Sequence, residues 1–436
     1  MRNFLFFTGI LCLAGFAGLA QIPVTTYHDS LQTKVKEVYY INLPDSTMHG
    51  TYRRYYPSGK LEAQIKVIDG VKDSIYTEFY ENGQKKVVLN YEKGVKQGPF
   101  KIYHDNGRIL QEGTYVDNQQ HNAFKTFYEN GSPKMEASFV NGFPDGLVKE
   151  YFGSGKLRSE ITYKNNQQNG PAKTYFANGI LETEANYKNG MLDGSYKTYY
   201  DNGKLESEVT HISGQKTGSF KSYYRSGGLM TEGSFKAGKI EGLSKAYFEN
   251  GNLRSSIHYK NGIMDGVAKY FYESGPVREE ILYSNNTKDR KITRYYPSGN
   301  KKEEQFYKNG KKTGNWKSYF DSKQVQVNET FEEGKLVGER LVYHENGNIA
   351  EKAFYENGKV KDKLWQYYPT GELKAEFNFK NGIRYGNHKQ YYPSGKTEIT
   401  GFYRNDRASG TWKYFSENGK LEKTVQYRNG EVVTEK

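Results

Sequence analysis

The 436-residue sequence is poor in the residues that usually build and brace a globular core. It has one cysteine, Cys12, so an intrachain disulfide is excluded. Only 35% of its residues are hydrophobic, whereas tyrosine and glycine reach 40 and 47 residues. Many aromatic rings and many turns, with little aliphatic material, are typical of narrow and exposed β-sheets.

Long apolar runs are also scarce, and the one at the start of the chain has a specific form. Arg2 precedes an apolar run from Phe4 to Ala20 that ends in small residues. This pattern predicts a secretory signal peptide over residues 1–20. No charged stop-transfer segment follows, so we expect no transmembrane span in the mature chain.

Export would leave residues 21–436 without cysteine, because Cys12 lies inside the apolar run. A lipid anchor is the weaker alternative, since Leu11 stands where a small residue is expected before a lipidated cysteine. The signal peptide predicts a location in the periplasm, at the outer-membrane surface or outside the cell.

The formal net charge of +13 is modest for this length, and lysine and glutamate are interspersed rather than grouped into tails. Such mixing fits a solvated sheet surface better than a nucleic-acid groove. We expect no nucleic-acid partner.

What the sequence does contain is a period of 24 residues, marked by a column of glycines. Of its sixteen positions only Lys323 is not glycine. A fixed period indicates a stack of one repeated unit. The predicted turn glycines are Gly59, Gly83, Gly107, Gly131, Gly155, Gly179, Gly203, Gly227, Gly251, Gly275, Gly299, Gly347, Gly371, Gly395 and Gly419.

Each repeat has the pattern of a β-hairpin, with an aromatic pair, a turn and an alternating strand, as in residues 199–208. Four copies carry Pro-Ser-Gly or Pro-Thr-Gly at the turn, which favours a three-residue loop closed by a left-handed glycine. Eleven residues later come twelve glycines, with Asn118, Asn166, Asn286 and Asp406 in the other positions. These residue types tolerate positive φ, and a third glycine column four residues on suggests a wider turn here.

Aromatic residues keep the same period. All sixteen positions four before the turn glycine are Tyr or Phe, and fourteen of sixteen positions eight after it are aromatic, with Val67 and His211 as the exceptions. Stacked hairpins would align the rings into ladders that form the core.

One pattern conflicts with the three-residue loop. Lysine is common six before the glycine and glutamate five after it, as in Lys101 with Glu112 and Lys125 with Glu136. A two-residue loop would place each pair opposite one another, whereas a three-residue loop would put them on opposite faces. Because exposed ion pairs contribute only about 0–1 kcal/mol each, we follow the turn pattern.

The motif Tyr-Tyr-x-Asn-Gly-Lys-Leu at residues 199–205, with Tyr-Lys-Asn-Gly-x-x-x-Gly at 187–194, resembles the bacterial variant of the MORN repeat. The resemblance implies an all-β fold, an elongated single sheet of about sixteen antiparallel hairpins, over residues 47–436. Residues 21–46 would be an N-terminal cap or lead-in. Such arrays serve as scaffolds or binding surfaces, and bacterial members include antitoxins of the YwqK type. Lys323 departs from the motif and suggests a distorted hairpin.

The residues offer no chemistry for catalysis. His104, His344 and His211 occupy aromatic columns, and the other histidines lack zinc or nucleophile spacing. We therefore expect a non-enzymatic protein without metal or cofactor.

The function that we predict is an exported scaffold for protein–protein interactions. A binder of glycan or anionic envelope polymer is one alternative, and a toxin-neutralising protein is another. Exposed tyrosine and lysine columns and breaks in the repeat are the candidate binding residues, namely Tyr199, Tyr200, Tyr223, Tyr224, Lys197, Lys221, Trp316 and Trp365.

Overall fold

A computed structural model describes residues 20–436. Residues 1–19, which include most of the predicted signal peptide and Cys12, lie outside the described residues. Over the described range the secondary structure consists of antiparallel β-strands and turns, which confirms the all-β hairpin array. The chain divides into two compact units with a boundary between Gly203 and Lys204.

The first unit is a series of strands that pair antiparallel in chain order. The strands are β1 (Gln21–Tyr27), β2 (Val35–Asn42), β3 (Gly50–Tyr55), β4 (Leu61–Ile68), β5 (Val71–Lys72), β6 (Ser74–Phe79), β7 (Lys85–Glu92), β8 (Val95–Lys96), β9 (Gly98–Tyr103), β10 (Ile109–Val116), β11 (Gln119–Phe127), β12 (Pro133–Val140), β13 (Phe143–Pro144), β14 (Gly146–Tyr151), β15 (Leu157–Lys164), β16 (Gln167–Tyr175), β17 (Leu181–Lys188), β18 (Met191–Leu192) and β19 (Gly194–Tyr199).

The second unit continues the same hairpin pattern. Its strands are β20 (Leu205–Ile212), β21 (Gln215–Tyr223), β22 (Leu229–Lys236), β23 (Lys239–Ile240), β24 (Gly242–Tyr247), β25 (Leu253–Lys260), β26 (Ile263–Phe271), β27 (Val277–Ser284), β28 (Asp289–Tyr295), β29 (Lys301–Lys308), β30 (Lys311–Lys312), β31 (Gly314–Tyr319), β32 (Val325–Glu332), β33 (Lys335–Tyr343), β34 (Ile349–Glu356), β35 (Lys359–Tyr367), β36 (Leu373–Lys380), β37 (Ile383–Tyr391), β38 (Thr397–Arg404), β39 (Arg407–Phe415), β40 (Leu421–Arg428) and β41 (Glu431–Glu435).

Residues 21–46, predicted as a cap or lead-in, form a hairpin of their own. Strands β1 and β2 pair antiparallel from Gln21 opposite Asn42. Strand β2 then pairs with β3 of the first repeat, through Glu37 opposite Arg54. The segment therefore adds two strands to the sheet of the first unit.

The turn at the glycine column has the predicted three-residue loop. In the repeat of Gly107, the amide of His104 donates to the Arg108 carbonyl at 2.8 Å, and the Gly107 amide donates to the His104 carbonyl at 3.0 Å. Gly107 has φ of 81°, the left-handed conformation that closes such a loop and that favours glycine.

The predicted consequence for the charges is nevertheless wrong, because a β-bulge follows the loop. Tyr103 faces Ile109, but Ile102 faces Gln111, so Leu110 is an extra residue. The bulge shifts the register by one and brings Lys101 opposite Glu112. Loop chemistry and charge pattern are thus both satisfied, the first at the turn and the second one bulge further along.

Lys323 was expected to distort its hairpin, and this is also wrong. Its amide donates to the Phe320 carbonyl at 3.0 Å, and the Phe320 amide donates to the Gln324 carbonyl at 2.8 Å, as in the glycine repeats. Lys323 adopts φ of 73° and so takes the left-handed conformation that glycine has elsewhere. The repeat keeps its shape at the cost of backbone strain in one residue.

The second turn is tighter than predicted, not wider. Glu92 faces Val95, so the loop has two residues, Lys93 and Gly94, both with positive φ. This is a type I′ turn, which matches the twist of the strands that it joins. The glycine column that suggested a wider turn belongs instead to a second bulge, which follows the turn near Gly98, where φ is 84°.

The two faces of the sheet differ in composition. The residues six and four before the turn glycine, and five after it, form what we call the lysine–glutamate face. The residues seven before it, and six and eight after it, form the aromatic face, where rings meet across strands. Examples are Phe100 with Tyr115, whose ring centroids lie 4.6 Å apart, and Trp316 with Phe331 at 4.9 Å.

The core lies on the aromatic face, where large and small side chains on neighbouring strands fill the space together. In the second unit Ala268, Ile281 and Ile292 form a buried cluster. Glycine stands opposite Phe100 and Phe220 and makes room for these rings: a Cβ on Gly113 would lie 2.9 Å from Phe100 Cε1. The predicted ladder eight residues after the glycine is thus part of the core, together with a column seven before the glycine that the sequence analysis missed.

Candidate binding surfaces

The lysine column forms a row of alternating charges across the lysine–glutamate face. In the first unit the row runs from Lys101 to Lys197, and each strand contributes one residue opposite the next. The Nζ to carboxylate distances are 3.5 Å for Lys101–Glu112 and 3.1 Å for Lys125–Glu136. Lysines inside the row have a glutamate on either side, so their charge is locally compensated.

The predicted residues Lys197 and Lys221 belong to this row. Lys197 faces Glu184, and Lys221 stands between Glu208 and Glu232. The structure therefore brings the two lysines next to acids. An anionic ligand would compete with these glutamates for the same ammonium groups.

The predicted tyrosines are half-buried and sit in two columns with different partners. Tyr199 and Tyr223 lie four before the turn glycine, on the lysine–glutamate face, and the Tyr223 hydroxyl donates to Glu208 Oε1 at 3.3 Å. Tyr200 and Tyr224 lie one residue further on, and the Tyr224 hydroxyl donates to the Tyr247 carbonyl at 2.7 Å.

Tyrosines of the second column tie their repeat to the next one. Their hydroxyls donate to a backbone carbonyl 23 residues ahead, at 2.7–2.9 Å. The donors with this bond are Tyr56, Tyr80, Tyr128, Tyr224, Tyr272, Tyr296, Tyr368 and Tyr392. Sequence analysis recognised the aromatic pair but missed this bond, although the strict spacing of the second ring was its signal.

Two histidines confirm the interpretation of histidine as a ring substitute. His344 Nε2 lies 3.0 Å from the Tyr367 carbonyl, and His104 Nε2 lies 3.4 Å from the Phe127 carbonyl. Both occupy the position of the bonded tyrosine. Over residues 20–436 no group of three or more His, Cys, Asp and Glu side chains is arranged to hold a metal ion.

Burial and a neighbouring carboxylate raise the pKa of Tyr151 and Tyr247 in the first column. Burial first, then the hydrogen bond to Glu232, raises the pKa of Tyr247 to about 12. Burial also raises the pKa of Tyr151, and Glu136 accepts its hydroxyl at 3.0 Å. At neutral pH these phenols are donors that hold glutamates in place.

The two predicted tryptophans lie in unlike places. Trp316 is 7% exposed on the aromatic face, and its Nε1 donates to the Phe306 and Thr313 carbonyls at 3.0 and 3.1 Å. It is a core residue, so its prediction as a binding residue is corrected. Trp365 occupies a lysine position, half-buried between Lys352 and Glu376 on the other face.

A surface that the sequence analysis missed lies at the type I′ turns of the first unit. We define the apolar turn edge as Val71, Val140, Phe143 and Met191, which are 44%, 43%, 53% and 48% exposed. Val140 and Phe143 face each other across one turn. An open depression of about 310 Å³ lies close by in sequence, lined by Asn122, Ala123, Glu136, Ala137, Ser138, Leu147 and Lys149.

The family model described as "MORN repeat variant" matches the chain in fifteen segments, which together cover well over half of it. The chain therefore belongs to this family of repeat proteins. The segments are 48–69, 72–93, 96–117, 120–141, 144–165, 168–189, 192–212, 216–237, 240–261, 264–285, 291–309, 336–357, 365–381, 384–405 and 408–429. The gap at 310–335 contains Lys323, and the structure has a complete hairpin there.

Solved structures add little to this assignment. The chain is similar to TcdB2-TccC3-TEV, at 12% identity over 96% of this chain and 25% of that one, with a TM-score of 0.15. It is also similar to a eukaryotic initiation factor, at 11% identity over 96% and 91%, with a TM-score of 0.15. The chain thus spans about a quarter of the TcdB2-TccC3-TEV chain. Among curated protein sequences nothing matches.

Among residues 20–436 no helix has the length and apolar character needed to cross a bilayer.

Proposed function

We propose that this protein is an exported, non-enzymatic scaffold that holds a partner protein, and that the apolar turn edge of the first unit is where the partner binds. The observation that carries this proposal is the exposure of four large apolar side chains at the two positions that flank type I′ turns. Exposed apolar side chains gathered along one edge mark interaction sites more often than isolated ones do.

The arrangement of the remaining polar groups supports the choice. Lysines of the row in the first unit are paired with glutamates, and tyrosine hydroxyls of both columns donate within the array. These groups already have partners, whereas Val140 and Phe143 expose about half of their surface. Burial of two such side chains against a partner contributes roughly 1–3 kcal/mol each.

Export is part of the proposal and rests on the sequence of residues 1–20. The partner would then be a protein of the cell envelope or the extracellular space. Neutralisation of a toxin is a narrower form of the same proposal, in which the partner is a toxin and its gene is a neighbour. Absence of catalysis is proposed from the lack of any convergent acid, base or nucleophile set in the sequence.

The test is affinity capture from envelope extract with residues 21–436, at about 0.15 M and about 1 M salt. We expect a defined protein that is retained at high salt, because apolar contacts are not weakened by screening. The double variant Val140→Ser/Phe143→Ser should lose it.

The matched control is Ile263→Ser, at the same repeat position of the second unit and 44% exposed. It should retain the partner. Equal loss in both variants, or capture by neither the wild type nor the control, would count against the apolar turn edge as the binding site.

A further inference from the structure

Basic residues face one another across type I′ turns of the second unit. Lys236 faces Lys239, Lys308 faces Lys311 and Arg404 faces Arg407. The middle pair is partly compensated, because Lys311 Nζ lies 2.8 Å from Glu333 Oε2. Side chains directly opposite across a turn have Cβ atoms about 4.5–5.5 Å apart, and like charges at that distance destabilise a hairpin. Such pairs oppose folding, so their presence calls for another reason.

The same turn positions in the first unit carry no such pairs. There Glu92 faces Val95, Val140 faces Phe143 and Lys188 faces Met191. The hairpins are otherwise built alike. Turn geometry therefore does not require two cations. The basic pairs are a feature of the surface of the second unit.

The residues after each turn extend along the edge towards the following repeat. A Cβ on Gly262 would lie 3.6 Å from Lys239 Cβ, and one on Gly430 would lie 3.6 Å from Arg407 Cβ. The stems thus lie against the next turn, where Lys260 and Arg428 are the last strand residues before the loop. We call these the two basic clusters: Lys236, Lys239 and Lys260, and Arg404, Arg407 and Arg428.

Acidic groups near the clusters are few and mostly engaged. Glu241 Oε2 accepts the Asn261 amide at 2.7 Å, and Asp406 Oδ1 pairs with Arg384 Nε at 3.1 Å. Glu431 faces Arg428 across its turn. Within residues 20–436, no ion pair joins an acid to Lys236, Lys239, Arg404 or Arg407, and these four side chains are exposed.

We propose that this edge of the second unit binds a linear acidic polysaccharide, with the two basic clusters as separate contact points. Successive turns lie roughly 10 Å apart, twice the strand spacing of about 4.8 Å, and the two clusters are separated by seven repeats of 24 residues. Widely spaced cations suit a polymer with sparse carboxylates. Nucleic acid, with one phosphate per about 3.4 Å of each strand, would need denser charge and exposed rings for stacking, which these clusters do not offer.

The proposal is independent of the partner protein, because it concerns a different unit and a different ligand. It also differs from the predicted lysines Lys197 and Lys221, which stand opposite glutamates. No ion pair joins an acid to Lys236, Lys239, Arg404 or Arg407 within residues 20–436, and binding an anion would relieve their mutual repulsion.

The test is the retention of residues 21–436 on immobilised alginate, a linear polyuronate, with neutral dextran as the reference. The edge variant carries Lys236→Gln, Lys239→Gln, Arg404→Gln and Arg407→Gln. We expect it to bind alginate at least about tenfold more weakly than the wild type at low salt. Because repulsion is removed, its unfolding midpoint in urea should rise.

A matched control removes the same four charges from the lysine row of the first unit, through Lys101→Gln, Lys125→Gln, Lys149→Gln and Lys173→Gln. Alginate binding by this control should stay within about twofold of the wild type. Equal weakening in both variants would mean attraction by net charge alone and would overturn the proposal. No binding by the wild type, or preference for an oligonucleotide or for phosphatidylglycerol vesicles over alginate, would also overturn it.

Discussion

Lys323 shows how strongly the array imposes backbone geometry on a single residue. It keeps φ of 73° at a position where the other fifteen repeats have glycine. The left-handed conformation costs a residue with a Cβ about 1–2 kcal/mol, although glycine loses more entropy on folding. Pairing with the neighbouring strands offsets this free-energy cost.

We expect Lys323→Gly to stabilise the second unit by roughly 0.5–1 kcal/mol, since the strain disappears. Urea unfolding followed by circular dichroism measures the change. Gly299→Ala in the same unit, where φ is 87° and nothing lies within 4 Å of the added Cβ, should destabilise by a similar amount. If Lys323→Gly proved neutral or unfavourable, a role of the side chain itself would be indicated.

His388 is the residue whose titration should be visible in stability. It is buried on the aromatic face, its ring stacks on Phe377 with centroids 4.5 Å apart, and Nδ1 lies 3.0 Å from the Glu376 carbonyl. Burial first, with Arg384 adding to it, holds its pKa below the ordinary value of about 6.5, although the bond to the carbonyl opposes the shift.

The folded state therefore keeps His388 neutral while the unfolded chain binds a proton. Stability contributed by this residue is present above about pH 6.5 and is lost as the pH falls towards its lower folded pKa. We expect His388→Phe to reduce the loss in urea midpoint between about pH 8 and about pH 5. Phenylalanine is native to this column, because Phe100 occupies the same position relative to its turn glycine and likewise faces a glycine, Gly113, as His388 faces Gly401. An unchanged pH profile in His388→Phe would contradict this assignment.

At the scale of the element, the hairpins are held to one another by backbone pairing and, in many repeats, by a side-chain hydrogen bond. Where the second aromatic residue of the pair is tyrosine, the bond runs to the carbonyl 23 residues ahead, as from Tyr128 to Tyr151 at 2.7 Å. Phe152 and Phe176 occupy the same column without a hydroxyl. The column thus contains residues with and without the hydroxyl group that makes this hydrogen bond.

Tyr128→Phe should destabilise the first unit by about 0.5–1.5 kcal/mol, the usual net contribution of one hydrogen bond. Phe152→Tyr is the reciprocal change and should stabilise, because its hydroxyl would reach the Tyr175 carbonyl. Hydrogen exchange of the amides around Tyr151 and Tyr175 reports each effect locally. Opposite signs for the two variants are the expected result, and equal signs would rule out the bond as the cause.

The charge pattern illustrates how elements combine what single residues suggest. Turn residues indicated a three-residue loop and charges indicated a register one residue away from it. Both were correct, because the bulge at Leu110 and its equivalents adds the missing residue. The sequence indicated both the loop length and the charge register, but it did not indicate which residue would form the bulge that reconciles them.

On the scale of the whole molecule, the array has no single centre. Its core is a thin layer repeated along the chain, and the residues at its type I′ turns vary: apolar residues such as Phe143 and Ile263 are exposed at some, and basic pairs such as Lys236 with Lys239 stand at others. Repetition of structure with variation of side chains is how such arrays gain distinct binding sites without changing the fold.

Stability should not depend on metal or on disulfides. Residues 20–436 contain no arrangement of three or more metal-binding side chains, and the sequence has one cysteine. We expect the urea midpoint of residues 21–436 to be unchanged by a chelator or by a thiol reductant. A fall in the midpoint with the chelator alone would reveal a metal site.

The sequence by itself determined the repeat, its 24-residue period, the antiparallel hairpins and the three-residue loop, because turn geometry and strand alternation are local and recur at fixed positions. Only the tertiary structure decided which residues face each other, since each bulge shifts the register by one and register depends on pairing between strands. It placed Trp316 in the core, set the lysines opposite the glutamates and revealed the like-charged pairs at the turns. Those contacts arise between residues on different strands, where pairing, rather than local preference, determines what each side chain meets.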